Sequence, residues 1–256
     1  MGNRANFPPT SDRQRNKVAT FQREEKTAQV ELHSLHLSDG LPLPESILDE
    51  TEKDRAAAFR SCAARRLFVG GRILCRSIIG NLVGSAPQAL PIAITPFGRP
   101  YLPAYPDIDF SLSHTKDTVA LAVCRGSRVG IDIERLDAFS ESEADEIMPM
   151  ILSEQELDQM RQADPRHRPD AFLAYWVQKE AALKCLGQGF LADPRSVIPV
   201  PGGTTFSIRN RGRSEPIFVR PGRICGEEAG DFQWAIATSR PVTEPRWRHH
   251  KSGISF

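Results

Sequence analysis

Two carboxylates one residue apart, Asp132 and Glu134, stand in the run Gly130-Ile131-Asp132-Ile133-Glu134. Side chains of a strand alternate between faces, so both acids project together while Ile131 and Ile133 turn toward a core. Hard oxygen donors placed this way suit Mg²⁺, which keeps positions open for water and a substrate phosphate. An amphipathic strand with a solvated acidic face accounts for the same letters. A second run, Trp176-Val177-Gln178-Lys179-Glu180-Ala181-Ala182-Leu183-Lys184, puts Trp176, Glu180 and Lys184 on one helical stripe. Glu180 can serve there as a third metal ligand or a general base, and Lys184 can meet a phosphate one turn on. An exposed Glu–Lys ion pair explains that spacing equally simply.

The third run, Phe110-Ser111-Leu112-Ser113-His114-Thr115, ends a strand. Ser113 and His114 can hydrogen-bond a phosphate or a nucleobase edge, or His114 can be an ordinary turn histidine. A hydrolytic Ser–His pair is disfavoured, because adjacent strand residues face opposite ways and no G-x-S-x-G elbow is present. Fourth, the turn Phe97-Gly98-Arg99-Pro100 presents one cation. Upstream, Lys53, Arg55, Arg60, Arg65, Arg66, Arg72 and Arg76 give the first long helix a basic density, which a solvated helix face would also produce.

The elements that must position these residues can be read coarsely. Val30 to Leu37 alternates as a first strand, Pro44-Glu45 can open a helix, and Glu50 to Ile79 has helical spacing with a possible break at Gly70-Gly71. Strands are expected near Ile92–Thr95, Ile108–Ser113, Thr118–Cys124 and Val129–Ile133, the last two joined as a hairpin by Arg125-Gly126-Ser127-Arg128. Ser153-Glu154-Gln155-Glu156 is a capping box, and a helix from Asp170 to about Cys185 stops at Gly187. Strands near Thr204–Ile208, Ile217–Arg220 and Phe232–Thr238 complete an α+β pattern.

With 33 basic and 32 acidic residues in 256, no global field draws the chain to nucleic acid or an anionic membrane. No apolar run approaches the roughly 18 residues of a membrane span. Met1 to Gln29 is polar, without the apolar core of a signal peptide, and reads as an adaptable tail. Arg240 to Phe256 reads similarly, its Trp247, His249 and His250 belonging to a loose tail and not to a ligand cluster. Five scattered cysteines lack metal or disulfide spacing, which fits a cytoplasmic protein.

Taken in order and at these intervals, the four runs resemble the surfactin-synthetase-type 4′-phosphopantetheinyl transferases. Their pattern is a G-K/R-P turn, an aromatic-x-x-S-H strand end, G-I/V-D-x-E, then W-x-x-K-E-x-x-x-K. The likeness spans about Phe97 to Phe190, with a looser match in the helix carrying Phe59 and Arg76. It implies two similar α+β halves related by pseudo-two-fold symmetry, with antiparallel sheets packed on helices. The halves would be residues 30–115 and 116–240, flanked by tails at 1–29 and 241–256, with the site in the cleft between them.

The resemblance also implies transfer of the phosphopantetheine arm of coenzyme A to a serine of an apo acyl or peptidyl carrier protein, releasing adenosine 3′,5′-bisphosphate. Asp132, Glu134 and Glu180 would hold Mg²⁺, and Glu180 would take the serine proton. Lys184 would neutralise the pyrophosphate with help from Lys179. Ser113 and His114 would contact the adenosine and its 3′-phosphate, with Arg99 nearby and Arg55 and Arg66 as further phosphate contacts. Glu156 would sit beside the metal site. Arg99 replaces the lysine of many members, and a guanidinium fork is not geometrically equivalent to an ammonium. Two joined halves imply that a monomer suffices. A non-catalytic binder of coenzyme A or carrier, and a magnesium-dependent hydrolase of coenzyme A or nucleotides, are the alternative readings.

Overall fold

The alternation that opens the chain becomes β1 (Val30–His36), with Leu32 and Leu35 buried on its opposite faces. The computed structural model describes residues 27–37, 42–187, 192–199, 205–210, 213–225 and 231–251. Most of the expected N-terminal tail, 1–26, and residues 252–256 lie outside them. Next come α1 (Glu50–Ala57), started by an Asp49/Glu52 capping box, and α2 (Cys62–Val83), capped by Ser61 and stopped at Gly84 in the left-handed region. The helical pattern therefore breaks at 58–61 and not at Gly70-Gly71. Gly70 lies inside α2, where a Cβ would come within 2.8 Å of Leu37 Cδ2, so the missing side chain lets the helix close on the sheet.

The short hairpin β2 (Ala93–Ile94) and β3 (Pro100–Tyr101) precedes β4 (Ile108–His114), β5 (Thr118–Arg125) and β6 (Val129–Arg135). Then follow α3 (Glu141–Ile151), α4 (Glu154–Gln162), α5 (Arg168–Leu186), β7 (Val197–Pro199), β8 (Thr205–Asn210), β9 (Arg213–Ile224), β10 (Phe232–Thr238) and β11 (Arg246–Lys251). One sheet has the order β11-β1-β5-β4 and another β6-β10-β9-β8-β7. In each half the first strand pairs antiparallel with the last, which pairs antiparallel with the strand before it: β1–β5–β4 and β6–β10–β9. Each half packs its long helix on its own sheet, α2 through Leu74, Cys75 and Ile79, and α5 through Val177, Ala181 and Cys185. The expected α+β halves are thus present as a repeated topology.

Several expectations need correction. β5 and β6 are not a hairpin: β5 pairs with β1 and β4, whereas β6 pairs with β10. The Arg125–Arg128 turn carries the chain from one sheet to the other, so the halves meet at 126–128 and not near Lys116. Within the expected C-terminal tail, residues 246–251 are not loose, because β11 adds parallel to β1 and Trp247 packs edge-on against Phe232 and Trp234. The helix α3, announced by a Ser140/Glu143 capping box, went unanticipated.

Two devices join the halves. Leu32, Ala120 and Ala122 of the first sheet form one buried cluster with Ile131, Ile133 and Ile236 of the second. Alongside it, the edge strands β4 and β6 are stitched by side chains. Asp109 accepts the Val129 N–H at 2.8 Å, Ser111 that of Ile131 at 3.2 Å, and Ser113 that of Ile133 at 3.3 Å. Polar residues at every second position of β4 thereby satisfy donors that a neighbouring strand would otherwise take.

Candidate active site

Gly130 sets the depth of the site. A Cβ there would overlap the Ala181 carbonyl and the Cys185 amide, so only glycine lets β6 approach the α5 backbone this closely. Asp132 and Glu134 are thereby brought against Glu180 and Lys184. Asp132 is 3% exposed. Its Oδ1 accepts from Lys184 Nζ at 2.6 Å and from Ser113 Oγ at 2.8 Å, while Oδ2 is buried with no partner among the described residues. Burial, then the neighbouring Asp132 carboxylate, push Glu134 up to about 7, against the opposing pull of Lys184. Burial and Asp132 also raise Glu180 above the usual carboxylate range. Among the described residues, three carboxylates therefore share one ammonium.

Among the described residues no three His, Cys, Asp or Glu side chains close into a finished metal cage. The orphaned Asp132 Oδ2 and the crowding of hard oxygen donors nevertheless fit a divalent cation such as Mg²⁺, which needs few protein ligands and retains water.

Beside this cluster lie two adjoining cavities of about 260 and 290 Å³ that share Arg72 and Leu112. The first is lined by Phe97, Gly98, Arg99 and Lys184, and the second by Arg55, Phe68, Ser113 and His114. Among the described residues no aspartate or glutamate lines either one. Burial, then Lys184, lower the His114 pKa and favour a neutral imidazole, which can still donate one hydrogen bond. Arg55 lies 5.1 Å over the Phe68 ring.

The structure gathers Asp132, Glu134, Glu180 and Lys184 in one cluster and puts His114 and Arg55 in the second cavity, but it reassigns other expected contacts. A hydroxyl has one donor and two acceptor positions. Ser113 uses its donor on Asp132 and both acceptors on the Ile133 N–H and Lys184 Nζ, so it is a strut with nothing left for adenosine. Arg99 touches the first cavity, yet its guanidinium bonds Asp109 at 2.6 Å, the Val129 carbonyl at 2.8 Å and the carbonyls of Phe110 and Lys184. It ties β4, β6 and α5 together and is not placed as a phosphate ligand. Lys179, 1% exposed, points away from the cleft to Glu156 at 2.8 Å and to the Pro194 and Val197 carbonyls. Its partner Glu156, held by Ser153 and Lys179, is correspondingly not at the metal site. Arg66 lines neither cavity. Asp109 and Ser111 escaped the sequence reading, although their alternation with Ile108, Phe110 and Leu112 was a visible signal of a polar face.

Residues 128–237 match the 4′-phosphopantetheinyl transferase superfamily, and residues 41–126 match the family described as 4′-phosphopantetheinyl transferase, N-terminal. The two matched segments meet at the turn where the chain changes sheet. A 4′-phosphopantetheinyl transferase of Bacillus subtilis is 28% identical over 173 residues, covering 67% of this chain and 74% of that protein. The 4′-phosphopantetheinyl transferase HetI of a Nostoc species is 31% identical over 145 residues, 56% of this chain and 60% of the relative. An L-aminoadipate-semialdehyde dehydrogenase-phosphopantetheinyl transferase of Eremothecium gossypii is 32% identical, over 56% of this chain and 52% of its own length. The chain thus spans between about half and three quarters of the length of these relatives.

Proposed function

We propose, for a chain that belongs to the 4′-phosphopantetheinyl transferase superfamily, that it moves the phosphopantetheine arm of coenzyme A to a serine of an apo carrier protein. The observation that carries this reading is a carboxylate cluster short of positive charge, placed beside a cleft lined by cations and apolar side chains. Such a cleft suits the phosphates and base of a nucleotide, and the cluster suits an ion that accompanies a pyrophosphate.

Asp132, Glu134 and Glu180 would hold Mg²⁺, whose contribution when bound is to polarise a phosphate oxygen and offset charge on the leaving group. Glu180 would accept the proton of the serine hydroxyl. The serine oxygen bonds to the phosphorus next to pantetheine, and the bond from that phosphorus to the bridging oxygen of the anhydride breaks. The leaving group carries that oxygen away as adenosine 3′,5′-bisphosphate. Lys184 spends two of its three N–H donors on Asp132 and Ser113, leaving one for a phosphate oxygen as charge develops. Both halves supply residues to the cleft, so one chain is expected to act as a monomer.

Intact mass spectrometry of apo carrier proteins incubated with the protein, coenzyme A and Mg²⁺ tests the proposal. The expected result is a gain of one phosphopantetheine that needs both coenzyme A and the metal. Coenzyme A cleavage without carrier labelling would instead make the protein a hydrolase.

A further inference from the structure

Asp132 has one carboxylate oxygen committed and one left over. Oδ1 accepts from Lys184 Nζ at 2.6 Å and from Ser113 Oγ at 2.8 Å, whereas Oδ2 is buried with no partner among the described residues. The strut behind Oδ1 is itself pinned. Ser113 is buried, and its Oγ accepts the Ile133 N–H at 3.3 Å and Lys184 Nζ at 3.1 Å. Turning this hydroxyl away would strand a buried amide and take a donor from a buried carboxylate, both of them costly. Ser111, two residues earlier on β4, makes the same stitch to the Ile131 N–H at 3.2 Å, but among the described residues it bonds no carboxylate. Gly130 precedes that amide, where Asp132 precedes the amide of Ile133.

We propose that Ser113, by closing Oδ1, makes Asp132 a one-oxygen ligand and so sets the preference of the carboxylate site for Mg²⁺ over Ca²⁺. This rests on the transferase reading above and on the cation it includes. The two ions ask different things of a carboxylate. Mg²⁺ is small, demands near-octahedral oxygen geometry and keeps several waters, so a single fixed oxygen suits it. Ca²⁺ takes more ligands and often both oxygens of one carboxylate. To chelate through both oxygens of Asp132, it must displace an ammonium and a hydroxyl together. Ser113 is a positioning residue here: it acts through Asp132, and its donor and both acceptor positions are already used.

The test follows thermal unfolding of wild type, Ser113→Ala, Ser113→Thr and Ser111→Ala with saturating coenzyme A and rising Mg²⁺ or Ca²⁺. The half-saturating concentration of each ion is read from the shift in melting temperature. Wild type should half-saturate at lower Mg²⁺ than Ca²⁺. Ser113→Ala should raise the Mg²⁺ requirement by about tenfold or more, the usual effect of removing a partner that orients a metal ligand. Its Ca²⁺ requirement should move less than about twofold, because the freed oxygen offsets the lost strut. Ser113→Thr keeps the hydroxyl and should hold the wild-type ratio. Ser111→Ala loses a stitch of the same kind and should hold it too, since its hydroxyl does not reach Asp132. Because both ions are compared on one preparation, partial misfolding of a variant cancels from the ratio. An equal loss for both ions in Ser113→Ala, or no change in either, overturns the proposal. The same ratio shift in Ser111→Ala, or a wild type indifferent to the ion, also overturns it. Carrier labelling of the same preparations, read by intact mass, keeps the parent reading separate. The expected ratio shift without labelling would defeat the transferase reading and leave the role of Ser113 standing, and labelling without the shift would do the reverse.

Discussion

Two clusters of buried charge, one in each half, are built in opposite ways. In the first, Arg76 is fully buried, yet its Nε meets Glu52, its Nη2 meets Asp49 and its Nη1 reaches the carbonyls of Pro87, Gln88 and Leu90. In the second, Asp132, Glu134 and Glu180 have Lys184 as their one ion-paired cation among the described residues, Asp132 Oδ2 has no partner there, and burial with the Asp132 charge pushes Glu134 up to about 7. A saturated cluster can only hold its half together. A cluster in deficit gives up stability and keeps affinity for something absent from the chain itself, which is how a site differs from a brace.

The sharpest way to break this contrast is Glu180→Gln. If the cluster is functional, transfer should fall by about 10²–10⁴-fold, the usual contribution of a general base. The melting temperature should stay level or rise, because one member of a crowded set of like charges has gone. A melting temperature that drops with activity would make Glu180 a brace like Arg76. The converse change, Arg76→Met, leaves Asp49 and Glu52 without their buried partner and should cost about 3–5 kcal/mol in urea unfolding. Its KM values, measured on the remaining folded protein, should hardly move.

Lys179 and Lys184 repeat the contrast within one helix. Both stand on α5, but Lys179 is buried against Glu156 whereas Lys184 is partly exposed in the cleft. Lys179→Met should destabilise by about 3 kcal/mol by stranding Glu156, with KM for coenzyme A unchanged. A rise in that KM would return Lys179 to the binding machinery.

The smallest expected effect lies on the β1–β11 pair. His33 is buried, its ring stacked on His250 with Nδ1 at 3.2 Å from the His250 Nε2. Burial, then His250 and Arg248, depress the His33 pKa to about 4, below the 6.5 of a free imidazole. Between those values the unfolded chain binds more protons than the folded one, so stability falls as pH drops from 6.5 toward 4. Wild type should lose on the order of 1–2 kcal/mol more than His33→Gln across that window in denaturant titrations. Parallel profiles would show that the histidine pair does not couple β11 to pH.

What the sequence disclosed follows how local each signal is. Asp132 with Glu134, and Glu180 with Lys184, are fixed by the periods of a strand and a helix, so their common faces were legible before any fold was known. The roles of Ser113, Arg99 and Lys179 depend on partners 10 to 85 residues away, and a motif position cannot state which hydrogen bonds a side chain has already made. The Arg125–Arg128 turn announced a reversal of the chain but not which strands would pair across it. Likewise β11 looked like a tail because its Arg246-Trp247-Arg248-His249-His250 composition suits an edge strand poorly in isolation. Its place is secured by Trp247 against Phe232 and Trp234, contacts invisible to local pattern.

Thermal unfolding with saturating coenzyme A and increasing Mg²⁺, for wild type and Glu180→Gln side by side, tests the charge deficit most directly. The melting temperature of the wild type should climb by several degrees with the metal while the variant stays nearly flat, as expected when the cation binds the folded carboxylate cluster. An equal rise in both proteins, or none in either, would contradict a cation site built from Asp132, Glu134 and Glu180.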